Sequence, residues 1–183
     1  MRNPIHRLAD RVATAIAGRI AQVQRTRADR SDAQLAALAV LRDRYPAFAG
    51  LGGSELRVFS QNGEDGVLAE ILARIGAPTR TFVEFGVQTG VECNTRLLAE
   101  VLGWSGVYFE PDPATFPALE ARYGSRPDVV TVQATITPAD VDERFTAAGV
   151  PPEPDVLVID VDGADYWIWR ALTVARPRVV VIE

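Results

Sequence analysis

From residue 80 onward, short apolar runs alternate with amphipathic stretches at a regular interval. Thr81-Phe82-Val83-Glu84-Phe85, Val107-Tyr108-Phe109, Asp155-Val156-Leu157-Val158-Ile159 and Val179-Val180-Val181-Ile182 are rich in β-branched and aromatic residues and too short for helices. With one more run they predict strands near 80–85, 105–109, 128–133, 155–160 and 178–183. The stretches between them predict helices near 94–102, 113–123, 138–148 and 164–174. Thr137 and Pro138 suit the cap and first position of the third of these. Earlier, Asn62-Gly63 makes a polar turn, and a helix runs from it to Ile75 with Val67, Leu68, Ile71 and Leu72 buried.

Strand–helix alternation at this spacing predicts a parallel sheet with right-handed crossovers. The expected fold class is α/β, a Rossmann-like doubly wound sheet of strand order 3-2-1-4-5. The ligand crevice then lies at the carboxyl ends of strands one and four, where the order reverses. Glu84, Glu110, Asp160 and Asp162 fall on that rim.

The first part of the chain reads differently. Ile5, Leu8, Val12, Ile16, Ile20 and Val23 form one apolar stripe of a helix over 4–29. A second helix, capped by Ser31 or Asp32, carries Leu35, Leu38, Leu41 and Tyr45 and stops at Pro46. Gly50-Leu51-Gly52-Gly53-Ser54 is hinge-like. The expected organisation is an N-terminal helical extension over 1–50 and a Rossmann-like domain over 51–183. The two helices either pack on that domain or form a homodimer hairpin or substrate lid; lying on an anionic membrane is a weaker third reading, since the apolar face of the first is rich in Ala.

Charge sharpens this division. Residues 1–30 carry seven arginines against Asp10 and Asp29; the rest carries twelve against twenty-two acids. The acidic domain argues against a nucleic-acid substrate and would tolerate a cationic ligand. No apolar run reaches the roughly 18 residues a membrane span needs. The single cysteine, Cys93, rules out an internal disulfide and suits a reducing cytoplasm.

Candidate chemistry begins at the first strand, which runs into Gly86 and Gly90 before a helix opens at Asn94. Glycines let the backbone approach a ligand, and the helix opening offers free N–H groups. A dinucleotide fingerprint needs glycine at 88, where Gln88 stands. The pattern Glu84-x-Gly86-x-x-x-Gly90 instead resembles motif I of class I S-adenosylmethionine-dependent methyltransferases. Glu110 ends the second strand 20 residues after Gly90, where a carboxylate can accept both ribose hydroxyls. Together with Ser60-Gln61-Asn62-Gly63-Glu64-Asp65-Gly66 and Asp160-Val161-Asp162-Gly163-Ala164-Asp165-Tyr166-Trp167, these segments resemble the FkbM-type methyltransferase family.

That resemblance implies S-adenosylmethionine as cofactor and O-methylation of a small-molecule or carbohydrate hydroxyl. It places Gln61 and Asp65 in the cofactor pocket, with Glu84, Gly86, Gly90, Asn94, Glu110 and Asp160. The family ordinarily adds two antiparallel strands after the fifth, and these are expected to be missing from 51–183. The only histidine is His6 and lysine is absent, so a base must be a carboxylate, a tyrosine or a metal-acidified oxygen. Asp160 and Asp162 are the catalytic candidates. With Glu183 they could hold Mg²⁺, since clustered carboxylates suit a hard cation. Asp162 or Asp165 could equally cap the next helix. There, at least one of Trp167 and Trp169 is expected in the core, and Tyr166 is the better pocket candidate. The rival readings are a nucleotide-binding oxidoreductase and a non-catalytic scaffold.

Overall fold

The computed structural model describes residues 50–183. The helices read over 4–46, and the homodimer expected of them, fall outside the described residues. The described residues divide into two units, 50–58 with 62–71 and 59–61 with 72–183.

In the first unit the Asn62-Gly63 turn folds back on residues 54–58. Leu56 N–H donates to the Gly63 carbonyl at 3.2 Å, and Gly66 N–H to that of Leu56 at 3.2 Å. A Cβ on Gly66 would lie 2.1 Å from the Ser54 carbonyl oxygen, so no larger residue fits without a shift. Asp65 is buried and accepts the Val58 N–H at 3.0 Å. Helix α1, Glu64–Ile75, starts here and crosses the division between the units.

The second unit is a five-stranded Rossmann-like α/β sheet. Its strands are β1 (Thr81–Phe85), β2 (Ser105–Phe109), β3 (Val129–Val132), β4 (Val156–Ile159) and β5 (Val179–Ile182). They pair in the order β3-β2-β1-β4-β5, every neighbour parallel. Four helices connect them: α2 (Arg96–Glu100), α3 (Phe116–Tyr123), α4 (Val141–Ala147) and α5 (Asp165–Ala171).

Strand alternation sorts the core into two faces. Val83 and Phe85 sit beside Val107 and Phe109 and pack with Leu157, Ile159, Val141, Phe145 and Ile168 under α4 and α5. Phe82, Glu84 and Tyr108 alternate to the other face, where Tyr108 meets Tyr123 of α3 at 4.9 Å between ring centroids. Helices start later than the pattern predicts. At the third predicted helix, Thr137 N–H and hydroxyl both donate to the Asp140 carboxylate at 2.7 Å. That bond pair makes 137–140 a turn, and α4 begins only at Val141. No helix among the described residues is long and apolar enough to cross a membrane.

Candidate active site

A cavity of ≈ 580 Å³ opens at the carboxyl ends of the strands, within the size range of small-molecule sites. Each strand supplies part of its lining: Phe85, Gly86 and Gln88 after β1, Phe109 to Pro111 after β2, Ala134 to Pro138 after β3, Asp160 to Asp162 after β4, and Glu183 after β5. Gln61 completes it with Ala164. Among the expected site residues the cavity brings together Gln61, Gly86, Glu110, Asp160, Asp162 and Glu183.

Gly86 is required by the fold itself. Its φ is +71°, and a Cβ there would lie 2.0 Å from the Asp160 carbonyl oxygen. The loop after β1 therefore rests directly on the end of β4, at the point where strand order reverses. Its N–H donates to the Phe109 carbonyl at 3.0 Å. Gln88 follows with φ +51°, unusual for a residue with a side chain. Its N–H donates to Glu110 Oε2 at 2.6 Å. Glu110 Oε1 accepts the Asp112 N–H at 2.9 Å and the Thr115 hydroxyl at 3.0 Å. A carboxylate offers about four acceptor positions, so Glu110 keeps about one for a ligand.

Four expected cofactor contacts do not line the cavity. Gly90 has φ +68°, and a Cβ there would meet Tyr123 at 2.8 Å and Leu119 at 2.9 Å. It is glycine to pack against α3. Asp65 holds Val58 in the first unit. Glu84 is 2% exposed and binds the far end of the glycine loop. Its Oε1 accepts the Asn94 N–H at 2.8 Å; Oε2 accepts the Thr95 N–H at 2.9 Å and the Thr95 hydroxyl at 2.6 Å. The Asn94 N–H is thereby occupied as well. Burial lifts the Glu84 carboxyl to about 7, against the pull of these bonds.

At the β4 end, Asp165 shapes the loop: Val161 N–H donates to its Oδ1 at 3.0 Å and Gly163 N–H to its Oδ2 at 2.9 Å. Asp162 sits at φ +56° within this turn. Asp160 and Asp162 are both exposed. The Glu183 carboxyl is raised above its ordinary value, first by the charge of Asp160 and then by a hydrogen bond with it. The Mg²⁺ set of Asp160, Asp162 and Glu183 is not assembled. Among the described residues no group of three or more His, Cys, Asp or Glu side chains is arranged to hold a metal ion. The turn is pinned by Asp165, and left-handed backbone carries Asp162 within it, so the acids follow the loop's own geometry.

Helix α5 also departs from expectation. Trp167 is 56% exposed and Trp169 42%, while Ile168 takes the buried position between them. Tyr166 is half exposed and does not line the cavity. The segment Ala134 to Pro138 went unrecognised in the sequence as part of the site. Its position just past the third strand was the available signal, since the crevice collects the residues beyond every strand end.

The sheet order and the site at its reversal point define a class of fold, the Rossmann-like doubly wound α/β fold. A putative caffeoyl-CoA O-methyltransferase from Staphylococcus aureus shares it, with a TM-score of 0.52 at 12% identity over 91% of this chain and 73% of that one. An O-methyltransferase from Bacillus cereus, crystallised with S-adenosylhomocysteine, aligns over 91% of this chain and 74% of its own, at 18% identity and a TM-score of 0.48. An RNA methyltransferase from Salinibacter ruber, in complex with S-adenosyl-L-homocysteine, aligns over 52% of this chain at 18% identity and a TM-score of 0.36. This chain spans 57% of that protein's length. No family model and no curated protein matches the chain.

Proposed function

We propose that the chain is an S-adenosylmethionine-dependent methyltransferase of FkbM type that acts on a hydroxyl of a small-molecule or carbohydrate acceptor. One observation carries the cofactor assignment. Among the described residues, those lining the cavity include four carboxylates, Glu110, Asp160, Asp162 and Glu183, and no Arg, Lys or His. Such a site repels a pyrophosphate and favours a ligand bearing a sulfonium and an ammonium. The Gln88 N–H, which a pyrophosphate would need, already belongs to Glu110. Both facts weigh against the oxidoreductase reading.

When bound, the cofactor supplies an electrophilic methyl group for in-line displacement. The chain then has two tasks, alignment and proton removal. Gly86, resting on the Asp160 carbonyl, fixes the spacing between the loop and the acids. The remaining acceptor position of Glu110 takes a ribose hydroxyl. Asp160 receives the acceptor's hydroxyl proton as the oxygen–carbon bond forms, with Asp162 in reach of the same space.

Calorimetry with S-adenosylhomocysteine, NAD⁺ and NADP⁺ tests the reading. Binding of the first alone is the expected result. Binding of a dinucleotide without S-adenosylhomocysteine overturns it, and binding of none favours the scaffold.

A further inference from the structure

A second ionisable cluster lies on the α2 and α3 face of the sheet, beneath the glycine loop. Glu84 is at its centre. The two ends of the loop are held by two different carboxylates, Glu110 at Gln88 and Glu84 at Asn94 and Thr95. Both are buried, but Glu110 lines the cavity while Glu84 does not, and all the Glu84 hydrogen bonds go to the end of the loop it holds.

The groups around it are mostly neutral. Cys93 of the loop and Tyr108 of β2 are both pushed well up, burial being the largest cause. Tyr123 of α3 reaches Tyr108. Arg96 and Glu100 of α2 pair with each other at 3.1 Å. Asp160, past the end of β4, adds repulsion. What acts on the Glu84 carboxyl is burial, then the Thr95 hydroxyl, then the two amides, then Asp160.

We propose that Glu84 is a proton-linked latch for the loop of residues 86–95, closed as a neutral carboxyl and loosened when the proton leaves. The geometry accommodates the neutral form. Oε1 accepts the Asn94 N–H, while Oε2 keeps the Thr95 N–H and donates its proton to the Thr95 hydroxyl. That hydroxyl passes its own hydrogen to the Tyr108 oxygen, 3.2 Å away. No charge is then buried. The ionised form leaves an anion enclosed with only amide and hydroxyl donors, and opening the loop rehydrates it.

The sign follows from linkage. A carboxyl raised to about 7 in the closed state, against 4.5 when free, favours closure at low pH. That contribution is lost as pH rises from the free value through the closed one. That the latch governs cofactor binding rests on the methyltransferase reading; the latch itself is tested in the free chain.

The experiment is amide hydrogen exchange at Asn94 and Thr95, corrected for the intrinsic rate. In the wild-type chain, protection falls about tenfold between about pH 6 and about pH 8, the change linkage gives for this pair of values. Glu84→Gln offers an acceptor and a donor with no proton to lose, and its protection stays level across the range. A level wild-type profile, or the same slope in the variant, overturns the latch. Should the variant fail to fold, a carbon-13 titration of the wild-type Glu84 carboxyl decides. A midpoint near 7 supports the latch, and one at the free value of 4.5 overturns it. Calorimetry with S-adenosylhomocysteine judges the cofactor separately, so the two readings fail independently.

Discussion

Asp160 and Glu110 divide the work of the proposed site, and each is testable by one substitution. Asp160→Asn keeps a polar side chain of the same shape and leaves Glu110, the proposed ribose partner, in place, but removes the proton acceptor. It is expected to keep affinity for S-adenosylhomocysteine and to lose about 10²-fold or more in turnover, the scale of an acid–base contribution. Full turnover in both Asp160→Asn and Asp162→Asn would place the base elsewhere. Glu110→Ala removes a ribose acceptor and also frees the Gln88 N–H that the carboxylate holds. Affinity should fall by roughly 1.5–3 kcal/mol, as for hydrogen bonds to a charged group. Unchanged affinity by calorimetry takes Glu110 out of the site. Glu84 shows why one assignment was hard to read from sequence. A strand buried on both faces has no polar alternation to say which way a lone carboxylate points. Only the register beside Tyr108 reveals that it faces α2 and α3.

The glycine loop behaves as an element with its own energetics. Gln88 sits at φ +51° because its backbone is tied to Glu110, and its side chain plays no part in that bond. Gln88→Gly should therefore relieve about 1 kcal/mol of left-handed strain, seen as a higher urea midpoint. A lower midpoint would mean that the side chain makes a contact of its own. Gly86→Ala should do the opposite, since its Cβ meets a carbonyl oxygen. That contact joins residues just past β1 and β4 that are remote in sequence, so the motif was legible while its physical reason was not. The five strands and their order were readable because apolar runs and connecting helices have few arrangements. Of the four rim residues expected, Glu110, Asp160 and Asp162 came with them, lying at or just past strand ends, while Glu84 turned to the other face. Helix starts were not readable, because side chains such as Asp140 capture the first turn.

At the scale of the whole second unit, the end opposite the cavity is held by Asp155. It is fully buried. Thr79 donates to it through N–H at 3.0 Å and hydroxyl at 2.8 Å, Arg80 N–H at 2.6 Å, and Arg178 at 3.0 Å. Burial alone would raise its carboxyl, and these partners outweigh that and hold it below the usual value. A depressed carboxylate contributes stability above its free value, and that is lost as pH falls through the folded one. Asp155→Ala should cost about 3–5 kcal/mol in urea unfolding at neutral pH, as when one partner of a buried pair is removed. A loss under about 1 kcal/mol would show that the pin is not needed.

The solvent-facing aromatics of α5 have a spectroscopic consequence. The chain has three tryptophans, of which Trp104 is 6% exposed while Trp167 and Trp169 stand largely in water. Native emission therefore comes mostly from indoles already hydrated. It should lie toward the red and be quenched readily by acrylamide, leaving a minor protected fraction from Trp104. Unfolding will shift the spectrum little, so circular dichroism is the better probe of stability. The same fluorescence then becomes a reporter of events at α5, a few residues past Asp160 and Asp162. Acceptor binding there should alter it at constant fold.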